Sequence, residues 1–271
     1  VFRGSIDIGD WVTDFIFNQC TYASILKNKD IDSHTFENVT KDTSSEVVSA
    51  MISQRADYQP CEDCKVHCGV YVAFSQFFEE VEAAVRPFTE KGYQLYVTGH
   101  SLGGGFTYLA AMDFILAGYT PIVVSLSSLR IGNPAFNSFL DEMYNTKKNL
   151  KIVANGGDLP VPSFSRIYQQ TDTVPQVPPS IPGVLEYTQA GLDFVIDKLT
   201  FPQEYEDIQF RGLTNNYENS PFESNLRDWR SALGAYQHIN TLSRMSPPCN
   251  DWEIPFRKKR GDGLPAELVE F

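Results

Sequence analysis

Tyr96-Val97-Thr98-Gly99-His100-Ser101-Leu102-Gly103-Gly104 carries a strand-forming run through Gly-x-Ser-x-Gly and into a long apolar stretch. A serine on a sharp turn between strand and helix projects its hydroxyl above the end of a sheet. Small residues two positions to either side keep such a turn from clashing. Gly99 and Gly103 meet that need. By chance alone the five-residue pattern would arise in roughly one chain in ten of this length, so its neighbours decide what it means. Tyr93 to Thr98 suits a strand. Leu102 to Ala117 predicts a buried helix through Phe106, Leu109, Ala110, Met112, Phe114, Ile115 and Leu116, with Gly118 as its C-cap. Strand, tight turn and buried helix together read as a nucleophile elbow.

The chain has 271 residues, 42% of them hydrophobic and 13% aromatic, enough for one substantial core. A single domain is expected over residues 1–249, followed by a polar tail over 250–271 in which Arg257-Lys258-Lys259-Arg260 is a solvated basic cluster. A formal net charge of -12 argues against a nucleic-acid partner, whose phosphates call for basic patches. A neutral or apolar substrate suits this charge better. No apolar run reaches the ~18 residues of a membrane span; the richest, Phe106 to Leu126, is broken by Asp113, Gly118 and Pro121. The cysteines are Cys20, Cys61, Cys64, Cys68 and Cys249. Cys61-Glu62-Asp63-Cys64 has the spacing of half a zinc site, but no second ligand pair completes it. A local disulfide is expected there, and neither a metal nor a cofactor is implied. The odd count leaves one thiol free or its partner outside the chain. Asn38-Val39-Thr40 is a glycosylation acceptor pattern that agrees with secretion. Val1 as the first residue is read as the start of a processed chain or a fragment.

Alternating strand and helix patterns favour an α/β architecture with a parallel or mixed sheet. Phe74, Phe77, Phe78, Val81 and Val85 recur at helical spacing between Tyr71 and Val85 and are expected to pack in the core. Ile122 to Leu126 is the next strand. From Pro160 to Pro182 prolines are dense, and Pro175, Pro178, Pro179 and Pro182 predict a loop near the top of the sheet.

A serine nucleophile requires a base and an orienting acid, which follow it in the order Ser, Asp or Glu, His in α/β-hydrolases. Of the four histidines, His34 and His67 precede Ser101, and His100 sits inside the elbow with its side chain directed away from the hydroxyl. His238 alone lies downstream and is the candidate base. Asp158 and Asp172 each close a short segment that could be a strand, Leu150 to Asn155 and Arg166 to Gln170, and each precedes a proline-containing loop. Chain order does not separate them.

Val1-Phe2-Arg3-Gly4-Ser5, followed by Asp10-Trp11-Val12-Thr13-Asp14, resembles the oxyanion strand and lid segment of the fungal class 3 lipases. Further matches come in order along the chain. Lys65-Val66-His67-Cys68-Gly69 resembles that family's V-H-x-G helix start, Gly99 to Gly104 its G-H-S-L-G-G elbow, and Arg130 to Phe136 its R-V-G-N-x-x-F segment. Thr171 to Pro179 resembles the D-x-V-P-x-x-P stretch that carries the acid. Glu186 to Gly191 resembles the strand beyond it, and His238 occupies the near-terminal histidine.

This resemblance implies an α/β-hydrolase fold with a mostly parallel central sheet flanked by helices. It also favours Asp172 over Asp158 as the acid and gives His67 a structural place. The implied activity is serine ester hydrolysis, foremost as a secreted, monomeric triacylglycerol lipase meeting lipid or ester substrates at a transient lipid–water interface. Leu102, as the residue after the nucleophile, and Ser5 would supply the oxyanion donors. Ile6, Ile8 and Trp11 would form the apolar face of a mobile lid, with Ile8 and Trp11 contacting substrate. The alternatives are a feruloyl-type esterase, a phospholipase A1, and a catalytically silent binding protein.

Three departures from the family stand out. Its chains carry several tens of residues before the R-G-S strand, so this sequence is expected to fold poorly alone and Cys249 to have lost a partner. Ser128-Leu129 replaces a frequent Gln-Pro, and Gln189 stands where a histidine is often found.

Overall fold

The computed structural model describes residues 1–2, 17–26, 61–200, 203–213, 238 and 241. Two short strands, β1 (Gln19–Thr21) and β2 (Lys65–His67), pair antiparallel and lead into α1 (Cys68–Ser75) and α2 (Phe78–Thr89). The elbow strand β3 (Tyr96–His100) follows, then α3 (Leu102–Leu116), β4 (Ile122–Leu126), α4 (Pro134–Met143) and α5 (Thr146–Ala154). The chain continues as β5 (Ser163–Gln169), β6 (Leu192–Ile196) and β7 (Ile208–Leu213). The main sheet runs β3-β4-β5-β6-β7, parallel through β6 and closed by antiparallel β7. Beyond β3, Phe2 bridges to Gly99 in parallel and donates its N–H to the Thr98 carbonyl at 2.8 Å. Phe2 therefore lies alongside β3.

Helix α3 is buried on every face from Gly103 to Phe114, the signature of a helix inside the core rather than on it. It packs against β3, β4 and α1. Ala117 caps it and Gly118 follows at φ 92°, a left-handed position that suits glycine. The aromatic stripe forms two helices rather than one, because the chain breaks at Gln76–Phe77. Its aromatic residues reach the core as expected, whereas Val85 does not: Phe74 stacks on Phe78 with ring centroids 4.3 Å apart, Phe78 meets Phe114 at 5.0 Å, and Phe77 meets Phe106 at 5.3 Å. Each such side chain contributes about 1.5–3 kcal/mol by leaving water.

Two local expectations are corrected. Leu150 to Ala154 belongs to helix α5, with Asn155 as its C-cap, and is not strand. Only Tyr144 and Asn145 separate it from α4, Asn145 makes the turn at φ 50°, and the Asn149 amide then bonds the carbonyls of Tyr144 and Pro162 at 2.9 and 3.0 Å. Tertiary anchoring overrides the β-branched Ile152-Val153 pair. Glu186 to Gly191 is likewise irregular, and β6 begins only at Leu192, after Gly191 turns at φ 91°.

Asp113, the charged interruption of the apolar helix, is fully buried. Its carboxylate accepts from Tyr22 Oη and Ser24 Oγ at 2.7 Å each, from the Ile25 N–H at 2.6 Å and from the Leu26 N–H at 3.1 Å. It ties residues 22–26 to α3. Removing one acceptor that serves four donors, three of them in buried bonds, leaves several unsatisfied. Asp113→Ala is therefore expected to lower unfolding free energy by about 3–5 kcal/mol. Urea unfolding checks this, and an unchanged midpoint would contradict it.

Candidate active site

Strand β3 ends at His100 and α3 begins at Leu102, which leaves Ser101 alone in the turn at φ 59° and ψ -123°. A non-glycine residue there costs of order 1–3 kcal/mol and persists only where its surroundings enforce it. The enforcing contacts are the Ser101 N–H donating to the Leu126 carbonyl and the Ser101 carbonyl accepting from Gly105 N–H, both at 3.0 Å. Gly99 is obligatory, since a Cβ on it would lie 2.2 Å from the Gly103 carbonyl oxygen. Leu102 opens α3, so its N–H is among those that no intrahelical carbonyl can reach.

Asp172 and His238 meet. Nδ1 of His238 lies 2.9 Å from Oδ2 of Asp172, and both residues are 1% exposed. The second carboxylate oxygen accepts the Val174 N–H at 2.9 Å, and the Asp172 N–H donates to the Gln169 carbonyl at the end of β5. A carboxylate facing Nδ1 puts the proton on that nitrogen and leaves the lone pair on Nε2. Nε2 is buried and makes no hydrogen bond among the described residues, Ser101 included. Asp158 is exposed and stands in the turn after α5.

His238 is held from the elbow itself. Nε2 of His100 donates to the His238 carbonyl at 2.6 Å, and the two rings lie 4.6 Å apart. On the neighbouring strand end, Ser127 Oγ meets Thr241 Oγ1 at 2.6 Å. Gln189 links helix to loop, accepting from Tyr108 Oη at 2.5 Å and donating to the Pro175 carbonyl at 2.9 Å.

The model of the class 3 lipases matches residues 1–181. The chain belongs to the class 3 lipase family. Among curated relatives, LIH1 of Saccharomyces cerevisiae is 28% identical over 220 residues, covering 79% of this chain and 58% of the relative. The secreted mono- and diacylglycerol lipase 1 of Fusarium solani is 22% identical over 279 residues, covering 99% of this chain and 63% of the relative. The chain thus spans less than two thirds of the length of either. Among solved structures, the mono- and diacylglycerol lipase from Aspergillus oryzae superposes with a TM-score of 0.59 at 18% identity, covering 89% of this chain and 69% of that one. The shared fold is the α/β-hydrolase fold, mostly parallel with flanking helices.

In this class 3 lipase chain, the residues singled out from sequence fall into two groups. Ser101 and Leu102 sit at the elbow, and Asp172 and His238 sit in one buried pair. Ser5, Ile8, Trp11, Asn38 and Cys249 lie outside the described residues. Cys61 and Cys64 are joined as a disulfide, which accounts for the half-zinc spacing. Among the described residues there is no cluster of three or more His, Cys, Asp or Glu suited to a metal, and no helix is long and apolar enough to cross a membrane. Sequence reasoning missed His100 as a holder of His238 and gave Ser127 and Thr241 no role. The histidine beside the serine was on view, but its carbonyl partner lies far along the chain.

His67 stands at the N-cap position of α1, fully buried with its ring near Phe17 and Tyr187. Burial holds its pKa down at about 4. Burial, with the His238 charge second, does the same for His100. The unfolded chain takes up these protons near pH 6.5 and the folded one does not. The stability they confer is complete above about pH 6.5 and is lost as pH falls towards 4, by about 3 kcal/mol for each. Compared with a His67→Gln variant, the wild type should lose roughly that amount of relative unfolding free energy between pH 7.5 and pH 4. A difference that stays constant across this range would contradict the cause assigned.

Proposed function

We propose that this class 3 lipase chain is a secreted serine ester hydrolase of acylglycerols, triacylglycerols foremost, with Ser101 as nucleophile, His238 as base and Asp172 as orienting acid. The carrying observation is the buried Asp172–His238 pair, whose carbonyl is held by His100, the residue immediately before the strained Ser101.

Ser101 Oγ attacks the ester carbonyl carbon while Nε2 of His238 takes the hydroxyl proton. The carbonyl oxygen becomes an oxyanion, to which the Leu102 and Ser5 N–H groups donate; each such donor is commonly worth about 3 kcal/mol in the transition state. Collapse expels the alcohol, which takes the proton back from the imidazolium, and leaves Ser101 acylated. Water then attacks with His238 again as base and releases the carboxylic acid. The absence of an Nε2 hydrogen bond to Ser101 is compatible with this course, since such bonds often tighten only when substrate fills the site.

Acylglycerol as substrate and export from the cell are supported by what the Fusarium relative is named for, and export also by the Cys61–Cys64 disulfide. Ile8 and Trp11 are assigned to a lid that opens at a lipid surface. Hydrolysis of tributyrin should then rise sharply once the substrate exceeds its solubility, and Trp11→Ser should blunt that rise. A smooth hyperbola through the solubility limit in both proteins would rule out the interfacial gate. No hydrolysis of any short-chain ester would overturn the activity itself.

A further inference from the structure

Ser127 is the first residue after β4, and it stands at φ 45°. That is a left-handed conformation favoured by glycine, and a serine there needs a compensating contact. Its backbone N–H donates to the Ile167 carbonyl at 2.8 Å, and its hydroxyl meets that of Thr241 at 2.6 Å. Thr241 Oγ1 in turn lies 3.4 Å from the His238 carbonyl. A carbonyl can only accept, so the Thr241 hydroxyl donates to it and the Ser127 hydroxyl donates to Thr241. All three residues are at most 1% exposed.

The His238 carbonyl thus has two supports from adjacent strand ends. One comes from His100 at the end of β3. The other comes through Thr241 from Ser127 just past the end of β4, where His100 and Leu126 are register partners. Asp172 fixes one nitrogen of the imidazole but leaves the backbone that carries the ring free to shift. A displacement of about 1 Å at a reacting group is enough to cost roughly a hundredfold in rate.

We infer that Ser127 is a positioning residue for the reaction, its hydroxyl acting through Thr241 to hold the backbone of His238 in register with Ser101. This rests on the proposed ester hydrolysis. Ser127 touches neither substrate nor the reacting atoms, and its effect passes through the base alone. The inference therefore requires separate responses in turnover, substrate binding and stability.

The experiment compares four variants with the wild type on a soluble short-chain ester, with Ser101→Ala as the inactive reference. Ser127→Gly relieves the backbone strain and removes the hydroxyl, so it should lower kcat about tenfold with KM within twofold and the melting temperature unchanged or raised. Thr241→Val, close in shape but without the hydroxyl, should match it in kcat, and Thr241→Ser should restore most of the wild-type rate. The double variant Ser127→Gly/Thr241→Val should be no slower than either single change, because both cut one path. Wild-type kcat in Ser127→Gly and Thr241→Val, or losses that multiply in the double variant, would overturn the inference while leaving the proposed hydrolysis intact. A wild type without turnover would overturn both.

Discussion

Replacing Ser101 by alanine should lower ester turnover by about 10⁴- to 10⁶-fold while leaving the melting temperature within a few degrees of the wild type. The change deletes the attacking oxygen and nothing else of size, and alanine at φ 59° meets the same backbone cost that serine already bears. The contacts that enforce the turn, from the Ser101 N–H to Leu126 and from Gly105 N–H to the Ser101 carbonyl, are backbone bonds that the substitution keeps. Loss of activity with the fold retained separates a missing nucleophile from a collapsed elbow. The check is steady-state hydrolysis beside a thermal melt, and turnover within tenfold of the wild type would remove Ser101 from the mechanism.

The second large effect belongs to Asp172. Asp172→Asn keeps the volume of the side chain but can turn an amide N–H towards Nδ1 of His238. The proton then moves to Nε2, and the nitrogen that should take the serine proton becomes a donor. A fall in kcat of up to about 10⁴-fold is expected. Asp158→Asn, in an exposed turn, should change it less than twofold. Parallel kcat measurements on the two variants decide between them, and the reverse ranking would move the acid to Asp158.

The elbow was legible because strand, glycine spacing and an apolar helix all point to one geometry, and β4 because four of its five residues are apolar, three of them β-branched, and Pro121 and Ser127-Ser128 bound it. His238 could be reached by elimination, whereas Asp172 was separable from Asp158 only through the family resemblance. Helix α5 was hidden by Leu150, Ile152 and Val153 around Lys151, a pattern too short to separate strand from helix. Its state depends on the Asn145 turn and the Asn149 anchors, and those are tertiary facts. Asp113 looked like a flaw in an apolar helix because its four donors come from residues far away in sequence. His100 and Ser127 were obscure for the same reason, since each acts on a carbonyl or hydroxyl more than a hundred positions distant.

Covalent labelling measures the central claim most directly. The native protein would be incubated with an alkyl p-nitrophenyl phosphonate, digested, and mapped by mass spectrometry. The expected result is a single phosphonyl adduct, on the peptide containing Ser101 and on that residue, formed in step with loss of esterase activity and absent from Ser101→Ala. An adduct on another serine, or full inactivation with Ser101 unmodified, would contradict the assignment.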